Sequence, residues 1–556
     1  MARTRRRASE SLDPARLSII DSLVSAVAEE MGASLRHTAL SPNIKERRDY
    51  SCAVFDAEGN LLAQAAHIPV HLGAIPESVR AVTELAPFRP GDLAILNDPF
   101  LGGTHLPDVT MVSPVFGSSR RRTLIGFVAS RAHQADIGGM APGSMPVARE
   151  LIQEGLIIPP VRLYRAGELV PETLALILRN VRTPDERRGD LTAQVAAHRL
   201  GERRLAALAE RTGLQAFQRA SHALLNYGER LAREVLRDLP PGEYAFHDHL
   251  DSDGVREGTV SIMLRLTIEP DGWHLDFSGS AKQRAASINA VAAVTRSAAY
   301  YVLRCLLPSE TPTNSGLFRR IRFTLPEGSV VNAQPPVAVA AGNVETSQRI
   351  VDVIWGALAQ ALPTRIPAAS SGTMNNLAAG GIDPSTGHSW AYYETIGGGH
   401  GGGPGGPGIT ATQSHMTNTL NTPAEELELS YPMRVRSNRV RRGSGGRGMQ
   451  RGGDGLVRCT EFLAPATVTI ISERRAAAPW GLAGGAPGKP GQNWHAHAGR
   501  RRLLPGKCVV SVEEGDVICV ATPGGGGWGT LAPRARGAAS TLNEAEEHRD
   551  ARSTGT

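Results

Sequence analysis

No apolar run in this 556-residue chain approaches the roughly 20 residues that a helix needs to cross a bilayer, so no membrane span is expected. The first residues, Met1-Ala2-Arg3-Thr4-Arg5-Arg6-Arg7, lead into polar sequence and lack the apolar core of a secretory signal, which predicts a cytoplasmic protein. Cysteine is scarce. Cys52, Cys305, Cys459, Cys508 and Cys519 are odd in number and without CxxC spacing, a pattern that predicts reduced thiols and argues against a disulfide framework or a zinc ribbon. Net charge is small at +6, and the basic clusters at Arg3 to Arg7 and Arg434 to Arg451 lack interleaved aromatics, which argues against nucleic-acid binding. The second cluster is mixed with glycine and suits a flexible lid, an interface or an anion-contacting loop.

Two ligand motifs are imitated and then broken. Asp248-His249-Leu250-Asp251-Ser252-Asp253-Gly254 has His249 where a calcium loop needs a carboxylate and Val260 where it needs glutamate, so a turn is expected. Gly484-Gly485-Ala486-Pro487-Gly488-Lys489-Pro490 has Ala483 in place of the first glycine of a phosphate loop and Pro490 in place of its hydroxyl residue. No nucleotide site of that type is expected.

Length and patterning point to an α+β chain with mixed sheets and two or three domains. Helical spacing covers residues 12 to 38, with Leu17, Ile20, Leu23, Val24 and Val27 on one face. Strand-like segments occupy about 48 to 165, and successive amphipathic helices run from Pro171 to about Leu239, broken at Pro184 and Gly213. Pro240-Pro241-Gly242 divides an N-terminal region, 12–239, from a glycine-rich region, 240–532; the tail 533–556 is expected to be disordered. Beyond the boundary, Gly258 to Ile268 and Trp273 to Phe277 read as strands and Val291 to Leu307 as a helix.

The densest chemistry lies in Asn97-Asp98-Pro99-Phe100-Leu101-Gly102-Gly103-Thr104-His105-Leu106-Pro107-Asp108-Val109. Pro99, Gly102, Gly103 and Pro107 break regular structure, so Asp98, His105 and Asp108 sit on a loop, delivered by the short apolar strand Asp92 to Asn97. After the apolar run Leu124 to Ala129, the segment Ser130 to Gly139 repeats the scheme with His133, Asp136 and a glycine pair. Two strand-end loops facing one cavity would hold a borderline divalent metal such as Zn, Fe or Mn; alternatively, the histidines cap turns or satisfy buried backbone.

Outward from that loop, the chain resembles the hydantoinase B/oxoprolinase family. The resemblance rests on Ser41-Pro42-Asn43-Ile44-Lys45-Glu46-Arg47-Arg48-Asp49-Tyr50-Ser51, His67-Ile68-Pro69-Val70-His71-Leu72-Gly73, the loop itself, Glu154 to Pro160, Arg188-Gly189-Asp190-Leu191, Pro312 to Gly316, Gly397 to Gly402 and Ser414-His415-Met416-Thr417-Asn418-Thr419. It covers about residues 12 to 530. The family contains beta subunits of ATP-dependent N-methylhydantoinases, the C-terminal half of 5-oxoprolinases, and subunits of acetone and acetophenone carboxylases.

The resemblance implies a metal held by Asp49, His105, Asp108 and His133; from residue spacing alone, Asp49 reads as a surface partner of Arg47 or Arg48. It also implies a hetero-oligomer in which ATP and Mg are handled by a hydantoinase A-like partner while this chain opens a hydantoin or 5-oxoproline ring. A ketone carboxylase subunit and a non-catalytic scaffold for the ATPase are the alternatives. Asp136 or Asp98 is then a general base or an orienter of a histidine. His400, in Gly397 to Gly408, and His415 are candidate substrate contacts; the glycines read either as a flexible linker or as bare backbone approaching a ligand, and His415 equally as a histidine satisfied in the core.

Overall fold

The computed structural model describes residues 14–65, 68–117 and 122–531. The Arg3 to Arg7 cluster, His67 and the tail from residue 533 lie outside them.

The helix read from the first residues is α1 (Pro14–Thr38), followed by the short α2 (Pro42–Lys45). Then come β1 (Tyr50–Asp56), β2 (Leu61–Gln64), α3 (Ala74–Thr83), β3 (Leu93–Leu96), β4 (Asp108–Phe116), β5 (Leu124–His133), β6 (Val161–Arg165) and β7 (Glu168–Leu169). These strands form one seven-stranded antiparallel sheet in the order β2-β1-β5-β4-β3-β6-β7. Its central strands β1, β5 and β4 are buried at nearly every position because both faces are covered. Cys52, Val54 and Val128 pack under α1 and the helices α5 (Pro184–Thr212) and α6 (Leu214–Arg237), whereas the alternating Ala53, Phe55, Phe127 and Ala129 join the opposite core. Helix α4 (Pro171–Arg179) precedes α5, so the three-helix reading of 171–239 and its breaks at Pro184 and Gly213 hold.

The second sheet, β8 (Gly242–Leu250), β9 (Val260–Glu269), β10 (Gly272–Asp276) and β11 (Ile321–Thr324), packs against α7 (Ala292–Leu306) and α8 (Ser347–Ala361). The largest apolar cluster draws on residues from both sides of position 240, from Ala53 to Ile471. The remaining strands, β12 (Asn376–Ile382), β13 (Ser389–Glu394), β14 (Met433–Arg441), β15 (Gly455–Phe462), β16 (Ala466–Ile471), β17 (Gln492–His497), β18 (Arg500–Leu504), β19 (Lys507–Val512) and β20 (Val517–Ala521), make two further sheets that share a core; the short α9 (Ala424–Ser430) lies before β14.

Two expectations fail here. Cys459 on β15 and Cys519 on β20 stand directly opposite in register and are disulfide-bonded, while Cys52, Cys305 and Cys508 are free. Sixty residues separate the pair, so only strand pairing reveals it. The arginine run from Arg434 is no loose loop either: it begins as β14, where Arg434 and Arg436 pair with Glu461.

The glycine-rich segments are packed together and do not form a flexible linker. Residues 397–408, 443–453, 481–488 and 523–529 interlock through their own backbones: Gly399 N donates to Pro523 O, Gly402 N to Gly526 O, Gly446 N to Gly525 O, and Gly525 N to Gly453 O. The chains approach so closely that a Cβ on Gly399 would sit 2.0 Å from Gly453 O and one on Gly485 2.0 Å from Gly527 O. Glycine is required here for its missing side chain. The false phosphate loop lies in this layer, with Gly488 N donating to Pro479 O and Lys489 N to Ser444 O, so those amides are already engaged. The false calcium loop is a turn whose carboxylates are likewise occupied: Asp251 accepts from Arg475, Ala476 and Ala477 amides, and Asp253 from Val255 and Arg256.

Candidate metal centre

Strand register assembles the site. Asp108 opens β4 directly opposite His133, the last residue of β5, and His133 N donates to the carbonyl of Asp49, just ahead of β1. Three adjacent strands therefore end at one level and present Asp49, His133 and Asp108 together. His105 enters from the turn before β4, closed by the Asp108 N to His105 O hydrogen bond.

Asp108 is the hub. One carboxylate oxygen lies 3.2 Å from His105 Nε2 and 3.3 Å from His133 Nδ1; the other lies 3.3 Å from His71 Nε2 and accepts from the Thr104 hydroxyl. His105, Asp108 and His133 are 0, 1 and 2% exposed. His105 Nδ1 and His133 Nε2 are buried without a hydrogen-bond partner, and His105 Nε2 meets only the Asp108 carboxylate, a cost that proteins seldom accept unless something else satisfies such atoms. Zinc bonds of 2.0–2.1 Å at a tetrahedral centre hold donor atoms roughly 3.3–3.4 Å apart, close to the separations seen here. The residues thus fit a divalent ion. Burial opposes charge on Asp108, but the facing His105 and His71 imidazoles hold its carboxyl well below the usual range. Burial also lowers His71 and His133, which favours the neutral imidazoles that metals bind.

The motif around Asp49 builds one wall. Ser41 caps α2, Asn43 Nδ2 donates to His133 O at 2.6 Å, and the Arg47 guanidinium donates to Asn43, Tyr393 O, Thr395 and Thr419. Asp49 is no surface residue: it is buried, 3.6 Å from Arg47, and lines the same cavity as His71, Asp108 and His133, although it stands outside the tight His105–Asp108–His133 cluster. Tyr393 stacks on His133 with ring centroids 4.2 Å apart.

The other candidates point elsewhere. Asp98 caps the short turn Pro99–Leu101 by accepting from Phe100 N. Asp136 is fully occupied by Gly138 N, Arg182 N and the Arg182 guanidinium, which pins the loop after β5. Neither lines the cavity. His400 sits in the glycine layer with Nε2 2.7 Å from Gln413 O. The Ser414 to Thr419 segment covers the cavity with Met416 and Thr417 but sends His415 to Asp352, 3.1 Å away, in a buried network with Arg474, Asp248 and Arg349. The Arg188-Gly189-Asp190-Leu191 motif is a fastening: Asp190 accepts from Leu40 and Ser41 amides.

His71 is the participant that residue spacing missed. Its Nδ1 pairs with Ser51 Oγ at 2.8 Å, which aims Nε2 at Asp108. The signal was present in the quoted Ile68-Pro69-Val70-His71 run, but nothing in it ties His71 to a loop thirty-odd residues away. His71→Ala is expected to lower metal affinity roughly 10–100-fold, the usual effect of losing a group that orients a ligand. Competition with a chromophoric chelator measures it, and an unchanged affinity would remove His71 from the site.

A hydantoinase B/oxoprolinase family profile matches residues 13–531. The chain belongs to this family. 5-Oxoprolinase 1 of Arabidopsis thaliana is 38% identical over 93% of this chain, which spans only 42% of that relative's length. One component of a putative D-/L-hydantoinase from a Pseudomonas strain is 31% identical over 94% of this chain and 90% of its own. Among solved structures, the ATP-dependent caprolactamase of Pseudomonas jessenii superposes with a TM-score of 0.87 at 28% identity, over 94% of this chain and 92% of that one. Family membership and the α+β architecture with several separate sheets are thereby shown together.

Proposed function

We propose that this hydantoinase B-type chain is the ring-opening subunit of an ATP-dependent cyclic-amide hydrolase, working with a hydantoinase A-like ATPase subunit on a hydantoin or 5-oxoproline. The observation that carries the reading is the buried carboxylate of Asp108 faced by His71, His105 and His133 at the end of β1, β5 and β4. Asp49, His105, Asp108 and His133 would hold one Zn, Mn or Fe ion, which supplies Lewis acidity and makes nearby water more acidic. The chain's own residues set the surroundings. Ser51 orients His71, the ring of Tyr393 shields one face of His133, and Met374 and Met416 close the cavity against bulk water.

That cavity measures about 20 Å³. It has room for an ion or a water but not for a five-membered ring. Substrate entry therefore requires the lining, to which Met416 and Thr417 belong, to open. Nucleotide chemistry is assigned to that partner: the one segment here that imitates a phosphate loop has its amides committed to the glycine layer.

The test is the complex co-expressed with its ATPase partner, with ATP hydrolysis and product followed while hydantoins, 5-oxoproline, and ketone plus bicarbonate are varied. Ring-opened product from a cyclic amide supports the proposal; product formed only from ketone plus bicarbonate would make the chain a carboxylase subunit. In the same assay, His133→Ala should abolish product yet leave substrate-dependent ATP hydrolysis, because an activated amide can decay to phosphate and unchanged substrate. Wild-type product from that variant would support a scaffold role.

A further inference from the structure

A second convergence of imidazole and carboxylate lies on the five-stranded C-terminal sheet, outside the centre described above. His495 and His497 are two apart on β17, so the twofold period of a strand puts both side chains on one face. Asp516, immediately before β20, reaches between them: one carboxylate oxygen is 2.9 Å from His495 Nε2 and the other 2.6 Å from His497 Nδ1. The carboxylate is held in place, since one oxygen also accepts from Glu513 N and the Asp516 amide donates to Glu513 O. The three donor atoms lie within 4.8 Å of one another.

We propose that His495, His497 and Asp516 form a second divalent-cation site, for a borderline ion such as Zn²⁺, Co²⁺ or Ni²⁺. Two nitrogens and one carboxylate oxygen are the donor mixture these ions prefer over Mg²⁺ or Ca²⁺. Tetrahedral binding holds donors roughly 3.3–3.4 Å apart, so the 2.9 and 2.6 Å contacts to Asp516 would open by a few tenths of an ångström, an adjustment that small side-chain rotations supply. His495 and Asp516 are 11 and 4% exposed at the side chain and His497 is 60% exposed, so the ion enters from solvent and water completes its shell. Glu513 and Glu514, exposed in the turn that leads into Asp516, are further acidic residues of the same segment. Binding ties β17 to the turn that enters β20.

Titration with Zn²⁺, and with Co²⁺ for its absorption bands, tests this on the full-length chain. The intact protein should bind about two equivalents and the His497→Ala variant about one. Because His497 is mostly exposed, that change leaves folding intact. In an Asp108→Asn background, where the first centre is disabled, one saturable equivalent should remain and its affinity should fall at least about tenfold on adding either His497→Ala or Asp516→Asn. Loss of all saturable binding with Asp108→Asn alone, or binding in that background indifferent to His497→Ala, would overturn the second site. Neither outcome bears on the ring-opening proposal, which is read from product formation.

Discussion

Asp108→Asn should leave a folded chain that retains little metal at the first centre and makes no measurable ring-opened product with its partner. Asp108 sits where three imidazoles converge, and its carboxylate contacts His71, His105 and His133 at 3.2–3.3 Å. An amide of the same shape preserves packing but cannot carry the negative charge, and its NH₂ would face ring nitrogens that need an electron-rich neighbour. The loss of activity should exceed the roughly 10–100-fold that follows removal of an orienting partner. Elemental analysis of the protein and a coupled assay of the complex decide it. If Asp108→Asn keeps full metal at this centre and full product, the hub of the proposed centre is misplaced. Asp98→Asn is the matching control: its carboxylate caps Pro99–Leu101 and does not line the cavity, so product formation should persist.

Gly525→Ala should destabilise the protein by about 3 kcal/mol or more, or prevent soluble expression, although it lies on no catalytic loop. The added Cβ would stand 1.9 Å from His400 O and 2.6 Å from Gly401 N, both backbone atoms of a neighbouring segment that cannot rotate away. Relief requires the glycine layer to separate, which breaks the Gly525 N to Gly453 O and Gly446 N to Gly525 O hydrogen bonds. Ordinary overpacking costs about 1–3 kcal/mol, and a backbone obstacle puts this case at or above the upper end. Gly405→Ala, in the glycine-rich segment 397–408, has nothing within 4 Å of its added Cβ and should be neutral or stabilising by up to about 1 kcal/mol. Chemical denaturation of both variants separates close packing from composition. Equal effects would mean that the layer is not the rigid element described here.

The two substitutions mark where sequence reading succeeds and where it stops. Helical and strand periods in α1, α4 to α7, β9 and β10 are local patterns, set by which residues within a few positions must share a buried face, and they were legible. His105, Asp108 and His133 stood out as candidates beside the breakers Pro107 and Gly138-Gly139, and the fold brings them together, with Asp108 opening β4 and His133 closing β5 where a loop was expected for Asp108. Asp136 and Asp98 looked similar on the same grounds. What distinguishes them is which backbone amide or guanidinium each carboxylate meets, and those partners come from the folded neighbourhood.

Taken alone, the sequence determined the α+β class, the family and the segments that carry the candidate metal ligands, since each is encoded in contiguous residues. Tertiary structure decided the rest: that His71 completes the ring around Asp108, that His415 turns toward Asp352, that Cys459 meets Cys519, and that the glycines form a packed layer. Each depends on the register or close approach of segments far apart in the chain. The physical reason is that a local pattern specifies which way a side chain faces, whereas a long-range contact depends on how distant segments pair or pack; one step of register between β15 and β20 would already take Cys459 out of line with Cys519.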